Sequence, residues 1–448
     1  MKQRRRPIAL PSLPSVAGRE DHAPQLLLIE KPVYGGDLLA RLDGKAVFVP
    51  LTLPNEQVRV RIVEEKRGYA KAELEEIVSP STQRTAQRCP HFGACGGCQY
   101  QHASYDAQLG LKQQILRETL ERGGVAAPVE IDILTAQPWA YRNRIRLAFD
   151  AAGNPGYRGR RSHAILPIAE CPIAAPILVQ AALTAAALFK SLPANSRPAE
   201  LALFCNAAGS ALLASVFVSG SASQPLKSIL EGLLQKIPAL RGVELVEQGA
   251  NRPARTLARA GEEAINYRAA GFDFRVDHGA FFQVNRFLVD ALVERVAAGR
   301  TGKVAWDLFA GVGLFARQLA AGFERVLAVE SAAASTAALA HNLHGTPGSA
   351  VAAQALEFLR RSRRGQSPDL IVVDPPRTGL GAETTALLAE VAAPAITYVS
   401  CDPATLARDL RDLTAIGYSI ERATLADLFP QTFHLETIVD LRLQTSAL

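Results

Sequence analysis

No stretch of this 448-residue chain stays apolar long enough to cross a membrane as a helix. The most apolar region, IAAPILVQAALTAAALF at 173–189, is interrupted by Pro176, Gln180 and Thr184 and reads as a buried helix. The N-terminus, MKQRRRPIALPSLPSVAG, begins like a secretory leader, but three prolines break its apolar part. Residues 1–23 therefore read as a basic disordered tail, and a cytoplasmic location is expected. No internal repeat is visible. Charge of one sign is not in large excess either: 49 Lys and Arg against 43 Asp and Glu leave +6, with 48% hydrophobic residues. A soluble globular protein with room for roughly three domains is expected.

Cysteine is scarce, with six in all, so its clustering carries information. Cys89, Cys95 and Cys98 fall within CPHFGACGGCQYQH, spaced C-x5-C-x2-C. In a cytoplasmic protein disulfides are disfavoured, and such a cluster points to metal or cluster ligation. Gly96 and Gly97 let the backbone bend tightly enough for amides to face sulfur. A tetrahedral site needs a fourth thiolate, and Cys171 in AECPIAAP is the candidate. Zinc and iron–sulfur both accept four cysteines, so the ligand set leaves the metal open. The spacing does argue against radical chemistry on S-adenosylmethionine (SAM), which uses C-x3-C-x2-C with one iron open. Cys205, in LALFCNAAGSALL, reads as core. That leaves Cys401, in SCDPATLARDL, as the one unassigned thiol.

The mild basic excess is unevenly spread. Between Trp139 and His163 there are six arginines against one acid, Asp150. Trp139, Tyr141 and Tyr157 offer stacking faces among them, a combination suited to nucleic acid. A second knot, RRSRR at 360–364, reads as a solvated surface.

Residues 24–80 contain five short alternating segments with turn signals at Gly35-Gly36, Asp43-Gly44 and Pro54-Asn55, which predicts an OB-type β-barrel. Residues 81–275 read as a central α+β RNA-binding domain carrying the cysteine cluster. Its helix at 104–124 is expected to pack on the catalytic domain. From 276 to 448 strand-like KVAWDLF, RVLAVE, DLIVVD and AITYVS alternate with helical stretches. That is the pattern of a doubly wound, Rossmann-like parallel sheet, so the fold class is α/β.

The first of those strands runs into DLFAGVGLFA. Gly311 and Gly313 allow close approach of a ligand, although with Ala316 they also fit a dinucleotide fingerprint. Glu330 ends the next strand, placed to accept bonds from ribose hydroxyls. Asp374-Pro375-Pro376-Arg377 ends the third, and D-P-P after an apolar strand favours SAM over NAD. Arg377 stands where amino-group methyltransferases carry a stacking aromatic, which argues against N-methylation.

Cys401 ends a strand too, and Glu436 precedes the last one. A thiol and a carboxylate beside a SAM pocket suggest one reaction. Carbon 5 of uracil is a weak nucleophile until a thiolate adds to carbon 6. A base must then remove the carbon 5 proton before the thiolate leaves. No Lys or His adjacent in sequence activates Cys401, so its activation must come from the fold.

CPHFGACGGCQYQH, HGAFFQVN, DLFAGVGLF, VVDPPRTGL, SCDPATLARDL and FPQTFHLETIVDL together resemble the RNA uracil-5-methyltransferase family, over residues 24–448. The barrel looks like the TRAM domain that many members carry. The resemblance implies Cys401 as nucleophile and Glu436 as proton-abstracting base. It implies Gln283, Phe309, Gly311, Gly313, Leu314, Glu330, Gln354 and Asp374 around SAM. It also places Asp374 between cofactor and uracil, Arg146 of YRNRIRL on the target base, and a [4Fe–4S] cluster on Cys89, Cys95, Cys98 and Cys171. Leu314 stands where members often have Asn, Gln354 where Asp or Asn usually meets adenine, and Asp402 where Asn is frequent. Members with both barrel and cluster mostly act on large-subunit ribosomal RNA, so 23S rRNA is the expected partner of a monomeric, cytoplasmic enzyme, with tRNA as the alternative. An RNA cytosine-5 methyltransferase is disfavoured because its two cysteine contexts are missing. A non-catalytic RNA-binding protein is disfavoured by the Cys401–Glu436 pair.

Overall fold

A computed structural model describes residues 23–444 except 127, 129, 219–223, 250, 251 and 366; the tail expected at 1–23 lies outside the described residues but for Ala23. The chain divides into two compact units. One comprises residues up to 115 with 157–166 and 431–433, and the other comprises 116–156, 167–430 and 434 onward.

In the first unit five strands, Gln25–Pro32, Asp37–Leu42, Lys45–Pro50, Gln57–Glu65 and Tyr69–Ser79, close into a barrel in the order first, second, third, fifth, fourth. Strict alternation drives the closure. Val58, Val60 and Ile62 face inward on one strand, and Ala70, Ala72 and Leu74 on its neighbour, with charged residues between them. The hairpin of the second and third strands turns on Asp43 and Gly44, with φ of 50° and 80°. Those are the two left-handed positions that a two-residue turn needs to match strand twist. Beyond the barrel, Glu56 is fully buried yet satisfied: it accepts from Leu53 N at 2.8 Å, Ser81 N at 3.1 Å and both forks of Arg84 at 2.7 and 2.8 Å. This anchors the chain where it leaves the last strand.

The second unit contains an eight-stranded sheet in the spatial order Gly348–Ala352, Phe323–Glu330, Gly302–Leu308, Leu370–Val373, Ala395–Ser400, Glu436–Leu443, Tyr418–Ala426, Asp132–Leu134. The first five are parallel, and Glu436–Leu443 enters antiparallel. LIVV at 370–373 and AITYVS at 395–400 are buried throughout, as strands covered on both faces must be. The order reverses direction between Gly302–Leu308 and Leu370–Val373, which opens a crevice at their carboxyl ends. The far edge, Asp132–Leu134, comes from a segment that the sequence places with the central region.

The same unit holds a second sheet, in which Arg252–Gly261, Leu240–Gly249, Leu212–Val218, Glu200–Cys205 and Arg144–Phe149 follow one another. Helix Pro176–Lys190 buries Leu178, Val179, Ala182 and Phe189. The proline that interrupts the apolar run opens this helix, where its missing N–H costs nothing. Among the described residues no helix is long and apolar enough to cross a membrane. Cys205 is fully buried, and burial pushes its thiol up to about 12.

Candidate active site

The parallel strands all end on one edge, and there the sheet order becomes a row of side chains. Gln354 lies two residues past Ala352, followed across the sheet by Glu330, Phe309, Asp374 and Cys401, each at or just after a strand end. Glu436 starts the adjacent antiparallel strand. Ser400 pairs with Thr437, so one step further the register sets Cys401 against Glu436. Residues drawn from six separate motifs thus stand side by side because each strand spacing is only about 4.8 Å.

On the cofactor side, Phe309 adopts φ 66°, a left-handed conformation that an aromatic residue holds only when its surroundings impose it. Phe281, Gln283, Phe309, Gly311, Leu314 and Asp374 line a small cleft. Gly311 N donates to Glu330 Oε2 at 2.9 Å, while Ser331 N and Ala332 N donate to Oε1 at 2.7 and 2.6 Å. The glutamate is thereby fixed at the rim. Gln283 Nε2 donates to Asp374 Oδ2 at 3.4 Å. Gly313 (φ 91°) leads into helix Leu314–Leu319, and a Cβ there would lie 2.7 Å from Leu339. Behind it Asp307 is fully buried. Its Oδ2 accepts from Ala316 N at 2.8 Å, its Oδ1 has no partner, and burial pushes the carboxyl up to about 8. An apolar floor and a carboxylate held by three backbone amides fit a nucleoside-bearing ligand such as SAM. Gln354 is exposed and starts helix Ala355–Ser362 without a side-chain cap, beyond the residues that line the cleft.

The chemistry-bearing groups share one small volume. Burial pushes the Cys401 thiol up to about 12, and the nearby Glu436 and Asp374 add to this while Arg377 opposes it. Burial also raises Glu436 well above the carboxylate range, helped by Asp374 and opposed by Arg377. Asp374 is pushed up to about 7 by burial. Three acids therefore face one guanidinium, so burial and mutual repulsion keep most of them protonated. Arg377 Nη2 also lies 3.4 Å from His434 Nδ1. Asp402 caps helix Pro403–Ala415, its carboxylate accepting from Ala404 N and Thr405 N at 3.0 Å each. Asn and Asp cap helices about equally well, so Asp402 fills the capping role that an Asn would have here.

Several positioning residues escape a sequence reading. Asn143 donates to the Gln283 carbonyl at 2.8 Å, and Asn143 N donates to the Val284 carbonyl at 3.0 Å. Arg144 is half of the same device. Its Nη2 donates to Ala280 O at 2.6 Å, and its guanidinium sits 4.9 Å from the Phe204 ring. Arg146, by contrast, is bound to Glu200 at 2.6 Å and lies 4.2 Å from the Phe217 ring. Asp409, wholly buried, accepts from Leu380 N at 2.7 Å, Tyr398 Oη at 2.7 Å and Arg408, which holds the loop after Arg377. A charged residue at an otherwise apolar helix position was the only signal for Asp409. In RRSRR, Arg360, Arg361 and Arg363 pair with Glu383, Glu357 and Glu390, the solvated surface the sequence suggests.

Cys89, Cys95 and Cys98 lie in the first unit and Cys171 in the second, none in a disulfide. Gly97 N donates to Cys95 Sγ at 3.4 Å, the amide-to-sulfur contact that the two glycines were expected to permit. Among the described residues, however, no three His, Cys, Asp or Glu side chains converge closely enough to hold a metal ion. Four thiols are the donor chemistry of a thiolate-bound group.

Comparison with known proteins adds an independent line. Residues 261–444 match the model of the tRNA (uracil-5-)-methyltransferase family, and residues 24–74 match the TRAM domain. An uncharacterized RNA methyltransferase of Streptomyces avermitilis is 34% identical over 91% of this chain and 95% of its own. The 23S rRNA (uracil(1939)-C(5))-methyltransferase RlmD of Halomonas elongata is 31% identical over 100% of this chain and 94% of its own. Among solved structures, the Pyrococcus abyssi tRNA (uracil-54, C5)-methyltransferase in complex with S-adenosyl-L-homocysteine shares the fold, with TM-score 0.75, 24% identity, and coverage of 93% of this chain and 100% of that one.

Proposed function

Because the chain belongs to the RNA uracil-5-methyltransferase family, we propose that it methylates carbon 5 of one uridine in 23S rRNA, with Cys401 as nucleophile and Glu436 as base. The observation that carries this is the register of Ser400 on Thr437, which brings the strand ends bearing Cys401 and Glu436 together beside Asp374 and the cleft of Gln283 and Phe309. Support for ribosomal RNA comes from the RlmD of Halomonas elongata, which matches this chain over its whole length. The name of the matching family model favours tRNA as the second reading.

SAM, when bound, supplies the methyl group as an electrophile, and Gln283, Phe309, Gly311, Leu314, Glu330 and Asp374 would hold it. The residues of this chain do the rest. Asp374 and Glu436 raise the proton affinity of Cys401 and Arg377 lowers it. Loss of the Cys401 proton to solvent is therefore easiest while Asp374 and Glu436 are neutral, and Glu436 can ionise once the sulfur charge has passed into the ring. The thiolate adds to carbon 6 of uracil, and carbon 5 becomes an enolate carbon able to take a methyl group. Carbon 5 then carries both methyl and hydrogen. Glu436, as carboxylate, takes that proton, the double bond re-forms and the thiolate leaves. The uridine must leave its stack for the two faces of its ring to be reached.

The TRAM barrel would bind the surrounding RNA. The four cysteines would hold a [4Fe–4S] cluster, supported by their spacing and the Gly97 amide on Cys95. No step above uses it. Arg146 is proposed to meet the target base after exchanging Glu200 for RNA. The enzyme is proposed to work in the cytoplasm as a monomer. Deleting the gene and mapping 5-methyluridine across ribosomal and transfer RNA tests the function: loss at one 23S position is expected, loss in tRNA selects the second reading, and no loss contradicts both.

A further inference from the structure

A second cleft opens in the larger unit, at the C-terminal end of helix Val289–Ala297, and encloses about 530 Å³. It is lined by Arg295, Arg300, Arg422, Asp440 and Glu294 among others. None of these belongs to the row at the crevice. Arg295 has a side chain only 8% exposed. Its Nη1 binds Asp440 at 2.8 Å and its Nε donates to Thr424 Oγ1 at 2.8 Å, but its buried Nη2 has no partner. A buried guanidinium N–H without an acceptor is costly.

The acids present cannot relieve it. Asp440 Oδ1 already accepts from Arg300 at 2.7 Å and Thr397 at 2.9 Å, and its Oδ2 is held by Arg295. Glu294 is exposed. Arg422 is tied to Asp132 at 2.5 Å, but both side chains are about half exposed, at 56% and 44%, so that pair exchanges easily. The cleft thus offers three guanidinium groups, of which Arg300 and Arg422 are part-exposed, alongside the exposed Glu294 carboxylate.

We propose that this cleft binds a backbone phosphate of the substrate RNA. Arginine forks match phosphate oxygens two at a time, and a phosphodiester would satisfy Arg295 Nη2 while recruiting Arg300 and Arg422. Asp440 and Glu436 lie four residues apart on one strand, so they project to the same face about 13 Å apart. An RNA strand with its uracil at Cys401 therefore has neighbouring phosphates within reach of this cleft.

Arg422→Gln and Arg300→Lys in the full chain test this, because neither removes the buried partner of Asp440. The dissociation constant of an unmodified 23S rRNA transcript is measured across a salt series, alongside that of S-adenosylhomocysteine and the thermal midpoint. Arg422→Gln is expected to weaken RNA binding about 5- to 10-fold near physiological salt. It should also reduce the slope of log K against log salt by about one, as for one lost phosphate contact. Arg300→Lys, which keeps the charge and loses the fork, should weaken binding less. Homocysteine affinity and the thermal midpoint should not move. Unchanged RNA affinity and slope in both variants overturn the proposal. So does binding of inorganic phosphate that needs Arg422 yet leaves RNA affinity untouched, since the cleft would then serve a small free anion.

Discussion

Gln283 donates to Asp374 across 3.4 Å, joining the loop after His278 to the D-P-P turn at the edge of the sheet. The carboxyl that accepts this bond is pushed up to about 7 by burial. An ordinary aspartate keeps its charge down to about pH 4. The ionised form of Asp374 is thus present above about 7 and lost as pH falls through it. Ionised Asp374 opposes loss of the Cys401 proton, so Asp374→Asn should lower the pH at which Cys401 is alkylated by a thiol reagent. An alkylation profile that Asp374→Asn leaves unmoved contradicts this assignment.

Asp307 makes a separate prediction about stability. Its folded carboxyl is raised to about 8, so the protonated form is favoured in the native state. Below the unfolded pKa of about 4 the native state suffers no penalty. Between there and about 8 the unfolded chain ionises first, and stability falls as pH rises. Asp307→Asn still accepts from Ala316 and carries no charge. Its thermal midpoint should gain on the parent steadily from pH 5 to pH 8. A constant difference would show that the buried carboxyl is not neutral.

Asp409 should be indispensable to the loop that carries Arg377. Asp409→Ala leaves the Leu380 amide and the Tyr398 hydroxyl unmatched in a buried place, while the part-exposed Arg408 keeps the Thr378 carbonyl. A loss of about 2–4 kcal/mol is expected by denaturant unfolding, from two buried donors left without an acceptor. Asp409→Asn, which still accepts two of those bonds, should recover much of it. Methyl transfer should follow the same order.

The four cysteines predict a colour. Protein purified without oxygen should be brown and hold about four irons per chain. Cys171→Ala should lose the iron while leaving the barrel intact. A colourless protein with one zinc contradicts the cluster and leaves the methylation chemistry untouched.

Much of this fold was legible because its signals are local. Alternation in QVRVRIVEE and the Asp43-Gly44 turn suffice for a barrel strand and its hairpin. LIVV and AITYVS announce strands buried on both faces. Strand Asp132–Leu134 was not legible as an edge of the catalytic sheet, since three residues carry no period and their partner lies almost 300 positions away at Thr424–Ala426. The site divides in the same way. Cys401, Asp374 and Glu436 sit at strand ends, where sequence alone points to the ligand edge. Asn143, Arg144 and Asp409 act through backbone groups of distant loops, and nothing in their own neighbourhoods indicates which carbonyl or amide they meet. YRNRIRL singles out Arg146 for the target base, and only tertiary contacts show that Arg144 is the one bonded to the Ala280 carbonyl while Arg146 is bound to Glu200.

The sharpest test incubates Glu436→Gln with SAM and substrate RNA and resolves the products on a denaturing gel. With sulfur bonded to carbon 6 and no base to take the carbon 5 proton, a protein–RNA adduct should accumulate, and Cys401→Ala should form none and transfer no methyl group. Methylation at the parental rate by Cys401→Ala, or the absence of adduct from Glu436→Gln, would contradict the mechanism.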